Sequence, residues 1–197
     1  MNVTILNGGL HGDSFMDAVV AGLSREYQAQ GACVTTWRLR DHKAAYCLGC
    51  FECWTHSPGL CRIDDDMRAV AASIIQSDLQ VNVTPVTFGG YSSEIKKVLD
   101  RSICLVMPFF ERVDGEVHHK QRYERFPRLR AVGVLPGPDP AQEAIFQQLV
   151  ARNAINMRSP AHSVEFVYRP EAGAKIHNAL GDAIEAPESV GQEGVLT

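Results

Sequence analysis

The chain has 197 residues, of which 45% are hydrophobic and 21% charged, with a net charge of -4 at pH 7. These values suit one globular domain, and the mild acidity argues against nucleic acid or an anionic membrane as a partner. No apolar stretch approaches the about 20 residues that cross a bilayer, and Met1 to Gly9 lacks a basic segment followed by a long apolar run, so no export signal is read and the expected compartment is the cytoplasm.

The chain opens with Asn2 to Leu6, apolar and β-prone, running into Asn7-Gly8-Gly9 and then Gly12-Asp13-Ser14. Phe15, Val19, Leu23 and Tyr27 then recur at helical spacing, so the opening reads as strand, glycine loop, helix. Gly31 ends this helix, and Cys33 to Leu39 is a second strand. A cysteine-rich loop follows from Tyr46 to Cys61, with a turn at Pro58-Gly59. Asp64 or Asp65 is the expected N-cap of a helix carrying Met67, Val70, Ile74 and Ile75. Leu79 to Val83 is a third strand, opening into an irregular loop and a helix through Ile95, Val98 and Leu99. Residues Cys104 to Arg128 show no clear period, but Asp114-Gly115 could turn a small hairpin or arm. Ala131 to Leu135 is a fourth strand ending in Pro136-Gly137-Pro138, Ala141 to Ala154 a helix, and Ser163 to Tyr168 a fifth strand. The polar segment after Pro187 is expected to be mobile. The chain is therefore expected to form one domain over residues 1–185, with a flexible tail over 186–197.

Five short apolar strands alternating with helices predict a parallel α/β sheet covered on both faces. Ligands of such sheets bind beyond the carboxyl ends of the strands. The loops that start near Asn7, Thr84 and Pro136 all follow predicted strands.

Each loop has a chemical reading beside a plain one. A glycine turn opening a helix offers N–H groups and a positive dipole end to a phosphate, with Ser14 and His11 as further donors; it could also be an ordinary turn. The pattern is not GxGxxG, so a dinucleotide site is not indicated. In the loop Thr84 to Ser93, backbone amides could meet the polar edge of a planar heterocycle, with Phe88 or Tyr91 stacked on it, or the aromatics could lie in the core. Four of the six cysteines follow the spacing C-x2-C-x2-C-x7-C. Three thiolates so close can wrap one face of a [4Fe–4S] cluster, with Cys61 as fourth ligand. Zinc and unliganded thiols stay open alternatives. Cys33 and Cys104 read as small buried hydrophobes. His118, His119, Arg122 and Tyr123 form a polar group that could serve a dimer contact, a site wall or a solvated arm. The Asp64 to Asp66 run reads as a helix start, not a calcium or magnesium site.

The stretch Thr84-Pro85-Val86-Thr87-Phe88-Gly89-Gly90-Tyr91-Ser92-Ser93, with Lys96 and Asp100-Arg101, resembles the flavin-contacting loop of the NADPH-dependent FMN reductase family. The run Cys47-Leu48-Gly49-Cys50-Phe51-Glu52-Cys53-Trp54, with Pro58-Gly59, Cys61 and Asp64-Asp65-Asp66, is similar to the iron–sulfur flavoprotein branch of that family. The resemblance spans about residues 1 to 170. It implies a flavodoxin-like three-layer fold with strand order 2-1-3-4-5, FMN as cofactor, and a homodimer or homotetramer. By position, Asn7, Gly8, Gly9, His11, Gly12, Asp13, Ser14 and Phe15 would meet the FMN phosphate. Pro85, Val86, Thr87, Phe88, Gly89 and Gly90 would meet the isoalloxazine, and Pro136 and Gly137 would close the far side. Cys47, Cys50, Cys53 and Cys61 would hold a [4Fe–4S] cluster. The sequence departs from the family's pattern in its first loop, which lacks a basic residue, in Thr87 where an aromatic is usual, and in the polar Gln80 and Asn82 of the third strand.

Three functions follow. The first is an FMN-dependent oxidoreductase passing electrons from NAD(P)H to a quinone, flavin or other small acceptor, with the flavin supplying the chemistry and no side chain as acid or base. The others are an electron carrier working through a cluster, and a flavodoxin-like module that has lost FMN.

Overall fold

The computed structural model describes residues 1–113 and 115–170. The expected tail, and the expected domain end at residue 185, lie outside these described residues. Five parallel strands form the sheet: β1 (Asn2–Asn7), β2 (Cys33–Arg38), β3 (Leu79–Pro85), β6 (Arg128–Leu135) and β7 (His162–Tyr168). Strands β4 (Val106–Val113) and β5 (Glu116–Gln121) pair antiparallel as a separate hairpin. The sheet order is therefore β2-β1-β3-β6-β7 instead of the expected numbering 2-1-3-4-5. The shift in numbers comes from the hairpin, whose two strands fall between β3 and the next sheet strand in the sequence.

Helix α1 (Ser14–Ala29) covers one face of the sheet. Its Phe15, Met16, Val19, Val20, Leu23 and Tyr27 meet Val3 and Ile5 of β1, Val81 and Val83 of β3, and Val132 and Val134 of β6. Side chains alternate along a strand, so Leu6 points the other way, into a cluster with α3 (Met67–Gln76) and α4 (Ser93–Arg101). Leu129, Ala131 and Leu135 do the same against α5 (Pro140–Asn156). The result is three layers with an apolar core on each side of the sheet. A one-turn helix, α2 (Glu52–Thr55), forms inside the cysteine-rich loop. Among the described residues no helix is long and apolar enough to cross a membrane.

Several local expectations shift. Asp66, not Asp64 or Asp65, stands at the N-cap of α3, and its side chain makes no capping bond. Asp65 takes the amide of Met67 instead, at 3.2 Å. Cys33 is exposed, because β2 is an edge strand with mostly solvated side chains, whereas Cys104 is buried as expected. Gln80 and Asn82 lie on the α4 side of β3, and the Gln80 Nε2 donates to Asn82 Oδ1 at 2.9 Å. The Asn82 donor, Nδ2, is buried without a partner among the described residues.

Candidate functional site

Parallel pairing brings the carboxyl ends of β1, β3 and β6 to one edge, so the three loops converge. The amide of Gly8 donates to Val83 O at 2.8 Å, fastening the first loop to β3. A Cβ on Gly8 would lie 2.5 Å from Ile95 Cγ1 and 2.7 Å from Ser92 Oγ, so glycine allows the loop to sit on the start of α4. Asn7 is buried and organises the turn: its Oδ1 accepts from Gly9 N at 2.9 Å and its Nδ2 donates to Asp17 at 2.8 Å. Gly12 has φ +79, a conformation that favours glycine. Leu10, His11, Gly12 and Ser14 stand exposed beyond it. Asp13 caps α1 by accepting from Met16 N at 3.2 Å, while Phe15 turns into the core.

The first loop has basic companions that its own sequence lacks. Arg40, just after β2, donates to Asp17 Oδ2 at 2.6 Å and reaches Gly9 O at 3.5 Å. Arg169, just after β7, grips both oxygens of Asp13. Burial pushes both carboxyls up, but these guanidiniums outweigh it and hold Asp13 and Asp17 below their ordinary value. Each carboxylate beside the loop is thus matched by a cation. Sequence reasoning missed both arginines; their position just beyond strand ends on the ligand edge was the available signal.

The second loop is a tight turn. Thr87 and Gly90 exchange backbone bonds at 3.2 and 2.9 Å, and Phe88 (φ +51) and Gly89 (φ +71) both lie in the left-handed region. Two successive positive φ values make a type I′ turn. Thr87 is exposed and Phe88 is 93% exposed, whereas Val86 is buried and Pro85 and Gly90 are half-buried. Tyr91 turns inward onto Phe146, ring centroids 5.0 Å apart, and burial pushes its phenol up to about 12. The alternatives for the two aromatics thus divide: Phe88 faces solvent and Tyr91 the core. Gly89 N donates to Gln142 Oε1 at 3.4 Å, linking this turn to α5. Pro136 is exposed and Gly137 half-buried in the third loop, where Asp139 caps α5 by accepting from Gln142 N at 3.1 Å.

The cysteines form a second site. Cys47, Cys50, Cys53 and Cys61 line one small cavity of about 30 Å³, together with Phe51 and Arg101. Cys53 is buried, and burial, then its neighbouring cysteines, push its thiol up. Cys104 is close enough to Cys53 and Cys61 to feel them, and its thiol is pushed up to about 11, chiefly by burial. Among the described residues no group of three or more His, Cys, Asp or Glu side chains stands close enough to hold a metal ion. The donor set therefore matches a tetrathiolate centre in kind and number, but its thiols would have to draw inward to ligate one. A larger cavity, about 420 Å³, lies on the other side of Cys61 and Arg101, against α3 and the segment Tyr123 to Arg125, away from the three convergent loops. His118 is buried, not a solvated arm residue: its ring nitrogens lie 3.0 Å from Glu116 and 3.1 Å from Asn156. His119 instead joins an aromatic row with Trp54 and Phe110.

A family model described as NADPH-dependent FMN reductase matches residues 1–167. An iron-sulfur flavoprotein of Archaeoglobus fulgidus is 35% identical over 79 residues, 40% of each chain. Another from Methanocaldococcus jannaschii is 34% identical over 71 residues, 36% of each. The chain thus spans about two fifths of the length of the curated relatives it matches. Among solved structures, an NAD(P)H:quinone oxidoreductase from Methanothermobacter marburgensis superposes with a TM-score of 0.65 at 13% identity, covering 88% of this chain and 87% of that one. An azoreductase from Bacillus anthracis gives 0.54 at 13% identity, covering 85% and 86%. At such identities the likeness is one of fold, and the fold is flavodoxin-like.

Proposed function

This chain belongs to the NADPH-dependent FMN reductase family, and on that premise we propose that it is an FMN-dependent oxidoreductase. It would take electrons from NAD(P)H and pass them to a quinone, flavin or other small acceptor. The observation that carries this reading is the convergence of three loops at the carboxyl edge of the sheet, with Phe88 exposed on one and the carboxylates beside another, Asp13 and Asp17, neutralised by arginine.

The residues present suit the cofactor. The amides of Gly8, Gly9, Asp13 and Ser14 bond within the protein, so a phosphate would meet the exposed stretch Leu10 to Gly12 and the Ser14 hydroxyl at the start of α1, where the helix dipole favours it. Arg40 and Arg169 hold Asp17 and Asp13 in ion pairs, so neither repels that anion. The turn at Thr87 to Gly90 would offer backbone to the polar edge of the isoalloxazine, with the exposed Phe88 ring beside it. Pro136 and Gly137 would flank the far side. When bound, FMN supplies the redox chemistry, accepting a hydride from NAD(P)H and releasing electrons to the acceptor. The chain's own task is to bind, orient and shield.

A second reading is an electron carrier with a [4Fe–4S] cluster on Cys47, Cys50, Cys53 and Cys61. The shared thiol cavity and the names of the two curated relatives favour it. A homodimer or homotetramer is proposed on the exposed Phe109, Phe110 and Val117 of the hairpin.

One experiment tests these readings: a visible spectrum of protein purified without air, with flavin and iron assayed on the same sample and NAD(P)H then added. Flavin bands that bleach with NAD(P)H support the oxidoreductase. Iron in addition supports the carrier. If FMN neither copurifies nor binds when added, the redox reading fails and a module without cofactor takes its place.

A further inference from the structure

The helix start at Asp64 to Asp66 does more than begin α3. Asp65 Oδ2 accepts from Ala45 N at 2.9 Å, so this carboxylate, just after the cysteine loop, holds the backbone just before it. Asp66 does likewise, accepting from Lys43 N at 2.8 Å, while its own amide donates to Lys43 O at 3.2 Å. At the centre of this closure is Arg101, the last residue of α4, only 2% exposed. Its guanidinium donates to both oxygens of Asp65, at 2.8 and 3.0 Å. It also donates to Ala45 O at 2.9 Å and Ile63 O at 3.4 Å. One side chain thus ties together residues 45, 63 and 65, and all four cysteines lie on the loop between those ties.

Arg101 also stands in the thiol site. With Cys61, it lines both the small thiol cavity and the larger one behind it. Its remaining donor, Nε–H, is buried with no hydrogen-bond partner among the described residues. A buried donor without an acceptor is costly, and anionic sulfur brought into that cavity would be a suitable acceptor. A fork of fixed geometry is needed to reach a carboxylate and two carbonyls at once, which arginine provides and lysine does not.

We propose that Arg101 is the positioning residue of the four-cysteine site, closing the loop through Asp65 and presenting a buried cation to the thiolates that a [4Fe–4S] cluster would bring together. This inference rests on the cluster reading above. Partners of this kind, behind the ligands, are typically worth about 10- to 100-fold in metal retention.

The test is anaerobic reconstitution of the full-length protein with ferrous iron and sulfide, followed by loss of the cluster to an iron chelator. Wild type is compared with Arg101→Lys, which keeps the charge and loses the fork. Near-UV circular dichroism monitors folding. The expected result is a natively folded Arg101→Lys that loses its cluster about tenfold faster or more, with Asp65→Asn intermediate because the carbonyl bonds of Arg101 survive. If Arg101→Lys does not fold, Asp65→Asn carries the comparison. Equal retention in the folded variant and wild type overturns the role of Arg101 and leaves the cluster reading standing. A wild type that takes up no iron overturns both.

Discussion

The carboxylate of Asp13 and the guanidinium of Arg169 meet fork to fork, at 3.0 and 2.6 Å, across 156 residues of sequence. The contact fastens the start of α1 to the end of β7, and Arg169 also lies over the Phe15 ring, 5.2 Å from its centroid. The substitution Asp13→Asn keeps a cap acceptor but removes the charge. It is expected to lower stability by about 1 kcal/mol, near the low end for charged hydrogen bonds because the arginine is partly solvated. Burial opposes the shift, but Arg169 wins and the folded carboxyl lies below its ordinary value. Its contribution is therefore full above that value and is lost as pH falls through the folded one. Urea midpoints at neutral and acid pH should converge between wild type and Asp13→Asn on the acid side.

Gly8 and Gly12 sit in one loop but should respond differently. A Cβ at Gly8 would meet Ile95, Ser92 and, at 3.1 Å, the backbone oxygen of Val83. Gly8→Ala should push the loop off α4, costing about 1–3 kcal/mol as overpacking does, and weaken FMN binding. A Cβ at Gly12 meets nothing within 4 Å, so Gly12→Ala carries only the cost of its positive φ, about 1 kcal/mol. Urea unfolding and FMN titration of the two variants test the contrast.

The periodicity of the chain carried the sheet because β1, β3 and the α1 stripe are locally consistent: apolar runs, a glycine turn, then Phe15, Val19 and Leu23 at helical spacing. The three loops of the site were legible for the same reason, since each directly follows a strand. What stayed hidden depends on contacts distant in sequence. Arg130 lies inside β6, yet the fourth strand was expected to begin after it; a guanidinium fits there only because Tyr27 and Glu165 receive it. Arg40 and Arg169 reach the first loop from two other strands. The sequence shows Asp65 only as part of a helix start, because its partner, Arg101, stands 36 residues away.

Phe88 combines a positive φ with almost complete exposure. Phe88→Asn should stabilise the fold by about 0.5–1 kcal/mol, because asparagine tolerates the left-handed region and no packing is lost. Loss of a stacking ring worth about 1 kcal/mol should weaken FMN binding about fivefold. Opposite signs in melting temperature and FMN affinity are the expected result; an unchanged affinity would mean that the ring serves only the turn.

Arg130 tests the buried side of the ledger between charge and burial. It donates to Tyr27 on α1 and Glu165 on β7, and those bonds outweigh burial to keep its guanidinium firmly charged. Arg130→Met leaves the Tyr27 hydroxyl and the Glu165 carboxylate without their partner and should cost about 3 kcal/mol or more. Glu165→Gln keeps an acceptor and should cost less. Both are read from denaturant midpoints at constant slope.

The hairpin offers a local pH probe. Glu116 on β5 accepts from Arg152 Nη1 at 3.0 Å and also from its Nη2, and lies 3.0 Å from His118 Nε2. Arg152, then His118, hold its carboxyl down at about 2, from an ordinary 4.5. A depressed carboxyl adds stability above its unfolded value and loses it as pH falls through the folded one, so docking of the hairpin on α5 should weaken between pH 4.5 and about 2. Both Glu116 and Arg152 are about half exposed, so the effect should be confined to the hairpin and shrink in salt. Hydrogen-exchange protection factors are the measurement. Those of β5 amides should drop over this window relative to β1 amides, and in Glu116→Gln the drop should disappear because no carboxyl remains to titrate. Equal behaviour of β5 in the two proteins would show that the ion pair does not hold the hairpin down.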